Sequence, residues 1–65
     1  MYIILSNSFY WTKDSDWSVD INKSKQFKLA KNANSEIKVI KKLGRPMKRL
    51  MVKQCIKTNK GLKLL

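Results

Sequence analysis

The stretch KKLGRPMKR at residues 41–49 divides the chain into two parts of different character. It contains Gly44, one of two glycines, and Pro46, the only proline. Glycine permits backbone φ values that other residues avoid, whereas proline fixes φ near the helical value. Proline is also favoured at the first position of a helix, where its missing N–H costs nothing. We therefore predict that this stretch ends a strand and begins a helix.

The residues that follow predict one basic helix over 46–60, with Gly61 as its C-terminal stop. The residues that keep helical spacing on its apolar side are Met47, Leu50, Met51, Cys55 and Thr58. The basic residues at intervals of four, four and three are Arg49, Lys53, Lys57 and Lys60. These intervals would place the basic side chains in one stripe along the helix. Val52 and Ile56 do not fit the helical pattern, so a strand through Leu50, Val52 and Ile56 is the alternative.

Residues 1–22 predict β-structure. Residues 1–11 are rich in β-branched and aromatic residues, which favours one strand or two short strands separated at Ser6-Asn7-Ser8. Residues 12–16 form a polar turn. In residues 17–22, Trp17, Val19 and Ile21 alternate with polar residues, which predicts a half-buried strand.

The middle of the chain is less regular. Phe27 and Leu29 lie two residues apart and predict a third strand over 25–30, although a short helix over 24–32 remains open. Residues 32–35 read as a turn. Residues 36–42 alternate again and predict the last strand before the turn at Gly44.

The predicted fold class is α+β, with a small antiparallel sheet of three to four strands and one C-terminal basic amphipathic helix. The chain is expected to form a single small domain over 1–65. Its first part, 1–36, is nearly neutral, aromatic-rich and β, and its second part, 37–65, is a strongly basic strand–turn–helix. All six aromatic residues lie within the first 27 positions, so we expect them to form the core on which the helix rests.

The charge is unevenly distributed. The chain has 15 Lys and Arg residues against 4 Asp and Glu, for a net charge of +11. Residues 1–36 contain five basic residues and all four acids, for a net +1, whereas residues 37–65 contain ten basic residues and no acid, for a net +10. Such asymmetry is typical of a protein that binds nucleic acid or another anionic surface. A solvated basic face without a ligand is the alternative.

Basic side chains bind nucleic acids mainly by neutralising phosphates and releasing condensed counterions. The residues that we predict to contact phosphate are Lys41, Lys42, Arg45, Lys48, Arg49, Lys53, Lys57 and Lys60. We expect RNA rather than DNA as the partner, and protein neighbours in a larger assembly are a further expectation. No small-molecule substrate is expected.

The segment EIKVIKKLGRP at 36–46, followed by basic residues, resembles the opening of the large-subunit ribosomal protein thirty family. That resemblance implies a strand, a turn and a helix that docks on ribosomal RNA, with Arg45, Lys48 and Arg49 facing the RNA. Similar elements extend over 36–65, whereas the family's second helix and last strand are missing here and residues 1–35 have no counterpart. The turn also resembles the core of an AT-hook, but Leu43 stands in place of its first arginine.

Catalytic and metal-binding patterns are not found in the sequence. Asp14, Asp16 and Asp20 lack the glycine and closing glutamate of a calcium loop, so we expect them to cap turns. With one cysteine, Cys55, and no histidine, neither a disulfide nor a zinc site can form within the chain, and we expect the thiol in the core. We predict no metal and no cofactor.

The apolar run Tyr2–Leu5 is far too short to cross a bilayer, so no membrane partner is expected. A single free thiol fits a reducing compartment, which predicts an intracellular location, cytoplasmic or organellar. The resulting hypothesis is a small basic, non-enzymatic nucleic-acid-binding protein, most of all an RNA-binding structural component of a ribonucleoprotein such as a ribosome. The alternatives are a phage-type inhibitor that docks on a host nucleic-acid-handling protein, and a DNA-binding regulator.

Overall fold

The structure, a computed structural model, describes residues 1–44 and 49–65. Its strands form one antiparallel five-stranded sheet in the order β3-β2-β1-β4-β5. The strands are β1 (Tyr2–Ser6), β2 (Phe9–Trp11), β3 (Trp17–Ser18), β4 (Met51–Thr58) and β5 (Gly61–Leu64). One α-helix, α1 (Ala30–Lys42), and one 3₁₀ turn (Ile21–Lys23) complete the described elements.

The first half of the chain largely follows the expected β pattern. β1 and β2 are the two short strands separated at Ser6-Asn7-Ser8, and Asn7 takes a φ of +54° in the turn. The strand predicted over 17–22 ends at Ser18 instead. Asp20 accepts a hydrogen bond from the Asn22 N–H at 2.9 Å and caps the 3₁₀ turn, because a short carboxylate competes well for free backbone N–H groups.

The strand predicted over 25–30 is reduced to a single bridge. Phe27 exchanges two backbone hydrogen bonds with Tyr2, at 2.7 and 2.8 Å, and the Lys25 N–H donates to the Trp11 carbonyl at 2.8 Å. The segment therefore fills the gap where β2 diverges from the start of β1. It also places the beginning of α1 at that end of the sheet.

The strand predicted over 36–42 and the turn over 32–35 are both wrong, because these residues belong to α1. Ala33, Ile37 and Ile40 lie at spacings of four and three and share one helical face. Ala33 and Ile40 are fully buried and Ile37 is half-buried. The alternation of Ile37 with Val39 suggested a strand, yet Val39 is largely exposed.

The predicted C-terminal helix over 46–60 is also wrong, and with it the predicted arrangement of the sheet. The chain is α+β, but its described residues form five strands, and the described helix lies before the last two of them. β-branched Val52 and Ile56 favour a strand, and β1 offers β4 a buried neighbour with which to pair. Gly61 begins β5 after a tight turn rather than ending a helix. The alternative of a strand through Val52 and Ile56 is confirmed.

Both faces of the sheet are covered. The face that carries α1, called the helix face, holds a cluster around Ile4, Trp11, Ala33 and Ile40. The other face, called the turn face because the 3₁₀ turn packs there, holds a cluster around Ile3, Leu5 and Cys55. Ile21 of the 3₁₀ turn packs against this second cluster. Because neighbouring residues of β1 point to opposite faces, its apolar run supplies both clusters.

Trp11 joins the helix to the sheet through a polar contact as well as through packing. Its Nε1–H donates to Glu36 Oε2 at 3.0 Å, and Lys25 Nζ donates to the same oxygen at 2.9 Å. Burial raises the pKa of Glu36, but the hydrogen bonds from Lys25 and Trp11 and the charge of Lys25 outweigh burial and hold the pKa below its usual value. The ring of Trp17 meets Trp11 edge to face at 5.2 Å.

This contact makes a testable contribution to stability. We expect Glu36→Gln to lower the free energy of unfolding at pH 7 by about 1 kcal/mol, because the ion pair is partly exposed. A carboxylate with a lowered folded-state pKa stabilises the protein above its unfolded pKa of about 4.3, and this stability disappears as the pH falls through the folded pKa. The difference between wild type and variant, measured by urea unfolding, should therefore shrink below about pH 4.

Asp14→Asn is the matched control, since it removes one carboxylate charge at an exposed position. A Glu36→Gln deficit that stays constant down to pH 2, or that Asp14→Asn reproduces, would contradict the assignment.

Candidate nucleic-acid interface

The β4–β5 hairpin carries much of the positive charge of the acid-free half of the chain. Its strands pair from Cys55 opposite Leu64 to Thr58 opposite Gly61. The turn is held by Thr58, whose hydroxyl donates to the Gly61 carbonyl at 2.8 Å and accepts from the Lys60 N–H at 3.2 Å. Gly61 has a φ of +112°, a conformation that side-chain-bearing residues rarely adopt.

The hairpin extends beyond the rest of the sheet. β1 pairs with β4 only as far as Tyr2 opposite Gln54, with two further backbone hydrogen bonds between Met1 and Cys55. From Ile56 onwards, β4 has β5 as its strand neighbour among the described residues. The end of the hairpin is therefore a two-stranded ribbon.

The turn face of this ribbon is tied to the 3₁₀ turn. The Leu62 N–H donates to the Asn22 side-chain oxygen at 2.8 Å. Leu62 and Leu64 pack on Cys55, which is fully buried, so the expectation of a core thiol is confirmed. Burial raises the pKa of Cys55, which keeps the thiol protonated at neutral pH.

The predicted basic residues of β4 and its turn are exposed, but they do not form a helical stripe. Lys53 lies opposite Ile3 and Lys57 opposite Leu62, so both belong to the turn face, and Lys60 lies in the hairpin turn. A spacing of four is even, so it keeps two side chains on one face of a strand as well as on one face of a helix. Lys53 and Lys57 are therefore grouped on one face, as predicted, but on a strand rather than on a helix.

The other predicted residues lie elsewhere. Lys41 and Lys42 are exposed in the last turn of α1, where a cation interacts favourably with the helix dipole. Arg49, exposed and with a φ of +59°, lies just before β4. Arg45 and Lys48 lie outside the described residues, as do Pro46 and Met47.

The predicted interface therefore divides into two groups. α1 begins near Tyr2, and the chain re-enters the sheet at Met51 opposite Leu5, so the end of α1 and Arg49 lie at the end of the sheet away from the hairpin turn. The seven residue steps of β4, at about 3.4 Å each, separate that end from Lys60 by roughly 24 Å. A single continuous stripe is ruled out for these residues.

The structure adds basic residues that the sequence analysis missed. Lys63 is exposed on the helix face of β5, opposite Ile56. Four further exposed or half-buried lysines lie before or on α1: Lys25, Lys28, Lys31 and Lys38. The alternation Leu62-Lys63-Leu64 after a turn containing Asn59 was the signal for a strand with an outward lysine.

Three of the four acids lie away from the hairpin or in an ion pair, whereas Asp20 caps the 3₁₀ turn that is bonded to Leu62 of β5. Glu36 is paired with Lys25. Asp14 and Asp16 lie in the turn between β2 and β3, across the sheet from β5. Asp16 accepts the Trp17 N–H at 2.8 Å, so the expected turn-capping role is confirmed for it, as it is for the Asp20 cap.

Among the residues that the structure describes, no group of three or more histidine, cysteine or acidic side chains is arranged to hold a metal ion. No described helix has both the length and the apolar character needed to cross a bilayer. The fold that the ribosomal resemblance implies is not observed, because residues 36–42 are helical and residues 51–58 form a strand. Comparisons with protein families, curated proteins and solved structures found no match for this chain.

Proposed function

We propose that this chain is a small basic protein that binds nucleic acid through phosphate contacts and performs no catalysis. The observation that carries the proposal is the separation of charge across the sheet. The β4–β5 hairpin presents four exposed lysines and no acid, namely Lys53, Lys57, Lys60 and Lys63. Asp14 and Asp16 lie in the β2–β3 turn at the opposite edge of the sheet, and Glu36 is in an ion pair. Asp20, the cap of the 3₁₀ turn, is the one acid near β5, and the four lysines of the hairpin outweigh it.

An RNA-binding structural component of a ribonucleoprotein is one form of this proposal, and a DNA-binding regulator is another. The preference for RNA depended partly on a basic helix over 46–60, which the fold does not contain. The phosphate-binding proposal does not depend on that helix, because counterion release requires only exposed cations near the phosphates.

Binding should depend strongly on salt. We expect the logarithm of the association constant for a 20-nucleotide duplex to fall linearly with the logarithm of salt concentration between 50 and 200 mM. Lys60→Gln combined with Lys63→Gln should make this slope shallower by about 0.9–1.8, since each lost phosphate contact removes about 0.9. Fluorescence anisotropy with labelled RNA and DNA measures the slope.

The matched control is Lys13→Gln combined with Lys23→Gln, two exposed lysines outside the acid-free half. It changes the net charge equally and should leave the slope within about 0.3 of wild type. The proposal fails if neither RNA nor DNA binds at 50 mM salt, or if both double variants change the slope alike.

The inhibitor hypothesis remains the second prediction, because a basic ribbon also complements an acidic protein surface. A purified acidic nuclease or polymerase that binds the chain with equal affinity before and after nuclease treatment, while nucleic acid alone does not bind, would favour it over the first proposal.

A further inference from the structure

We infer that the β4–β5 hairpin inserts into the major groove of B-form duplex DNA with its helix face towards the base edges. This inference rests on the proposed function and names its ligand. It follows from the shape of the hairpin, from the side chains on its exposed face and from the positions of the aromatic residues.

The shape of the ribbon fits a wide groove. Beyond Cys55 the hairpin consists of two strands, and the major groove of B-DNA, about 12 Å wide, admits a two-stranded ribbon. The major groove of A-form RNA is too deep and narrow for side chains to read. The geometry therefore favours duplex DNA over duplex RNA.

One face of the ribbon is available for such a contact. The turn face is occupied by the 3₁₀ turn through the Asn22–Leu62 hydrogen bond. On the helix face, Ile56 and Lys63 of the ribbon are exposed, and Gln54 is exposed just before it, where β4 still pairs with β1. Ile56 is 41% exposed although it is β-branched and apolar. The packing that buries one side of the ribbon thus leaves the other side free.

These three side chains have the chemistry that reads base edges. Glutamine binds adenine through a bidentate pair, lysine donates to guanine O6 and N7, and an apolar side chain contacts the thymine methyl group. Lys60 in the turn is then placed to contact a phosphate at the groove wall.

Single-stranded nucleic acid is a poorer fit. Binding of single strands usually depends on stacking of bases on exposed aromatic rings. All six aromatic residues lie at positions 2–27, outside the hairpin, and Trp11 is fully buried. The hairpin therefore offers phosphate and base-edge contacts but no stacking platform.

The helix lies on the same face of the sheet as the proposed contact. It packs over β1 and the beginning of β4, where Leu50 and Val52 meet the cluster of Ala33 and Ile40, and Ile56 and Lys63 beyond it remain exposed. A duplex seated on the hairpin would have α1 beside it on the same face of the sheet. The exposed lysines of α1 would then face solvent next to the phosphates.

The test uses the wild-type chain and four probes of 20 nucleotides per strand at one salt concentration: duplex DNA, the same duplex with 5-propynyl pyrimidines that fill the major groove, duplex RNA and single-stranded DNA. We expect duplex DNA to bind at least ten-fold more tightly than each of the other three. Blocking the minor groove with a small A·T-specific ligand should change the affinity less than two-fold.

A pair of variants tests which face of the hairpin contacts the DNA. Gln54→Ala combined with Ile56→Thr, which leaves the charge unchanged, should abolish the difference between plain and propynyl-substituted DNA. Lys53→Gln on the turn face should preserve that difference. Circular dichroism and urea unfolding establish that both variants fold.

The failures of the two proposals are distinguishable. Equal binding to all four probes, or tighter binding to duplex RNA, overturns the groove inference and leaves phosphate binding intact. No binding to any probe at low salt overturns both proposals. A retained difference in the Gln54→Ala, Ile56→Thr variant overturns the assignment of the helix face.

Discussion

Trp11→Ala is expected to leave the chain largely unfolded at 25 °C. Trp11 is fully buried, and its ring packs in the cluster that contains Ile4, Ala33 and Ile40. Replacing a buried tryptophan with alanine costs about 3–5 kcal/mol through lost burial and the cavity left behind. A domain of this size rarely has more than about 3–5 kcal/mol of total stability. Far-UV circular dichroism and urea unfolding monitored by Trp17 fluorescence measure the loss.

Phe9→Ala is the matched control because Phe9 lies in the same strand but is 37% exposed. Phe9→Ala should lower the free energy of unfolding by about 1 kcal/mol or less, as substitutions at exposed positions usually do. Trp11→Phe separates the two roles of the tryptophan, since it keeps much of the apolar ring but removes the N–H that donates to Glu36. If Trp11→Ala unfolds cooperatively with a free energy of unfolding within about 1 kcal/mol of the wild-type value, the packing of α1 on the sheet does not depend on Trp11.

Gly61→Ala is expected to destabilise the chain by about 2–4 kcal/mol. The φ of +112° at Gly61 is strained for any residue with a Cβ, at a cost of about 1–3 kcal/mol. The added Cβ would also overlap the side chain of Asn22, which would have to move away from the Leu62 N–H that it caps. Loss of that hydrogen bond adds about 1 kcal/mol.

Gly44→Ala provides a close control, because Gly44 also has a positive φ, +70°, but a Cβ there would have nothing within 4 Å. Only the backbone strain remains, so Gly44→Ala is expected to lower the free energy of unfolding by about 1–2 kcal/mol. Asn22→Ala should recover part of the Gly61→Ala defect in the double variant, since it removes the overlap. Equal destabilisation by the two glycine substitutions, measured by urea unfolding, would contradict the role assigned to Asn22.

The β-hairpin at the start of the chain could be predicted because its signals are local. Tyr2–Ser6 and Phe9–Trp11 are short runs of β-formers, and the break at Asn7 is a residue that tolerates positive φ. The capping roles of Asp16 and Asp20 are local for the same reason. These features need no information about distant residues.

The secondary structure of the second half of the chain was predicted wrongly because its apolar spacing fits both a helix and a strand. Met51 and Cys55 lie four residues apart, a spacing that fits both a helical face and one face of a strand. Residues 36–42 alternate like a strand, but Ala33 and Ile40 gain burial only when the segment is helical. Pairing with β1, more than forty residues away in sequence, decides between these readings for β4.

The candidate interface was partly predictable. The concentration of lysine in residues 37–65 directed attention to β4 and its turn, where Lys53, Lys57 and Lys60 are exposed. Lys63 was missed because it lies beyond Gly61, where the predicted helix ends. The predicted helical stripe of Arg49, Lys53, Lys57 and Lys60 failed because residues 51–58 form a strand.

The amino-acid sequence by itself determines the charge partition, the supply of aromatic residues for the core and the turns at Asn7 and at residues 12–16, because each depends on residue type or on near neighbours. The tertiary structure alone decides which face each lysine occupies and where the stretch at 41–49 leads. That stretch follows a helix and precedes a strand, the reverse of the predicted order. The reversal occurs because β1 buries apolar residues on both of its faces, so it pairs with β4 on one edge and packs against α1 on one face.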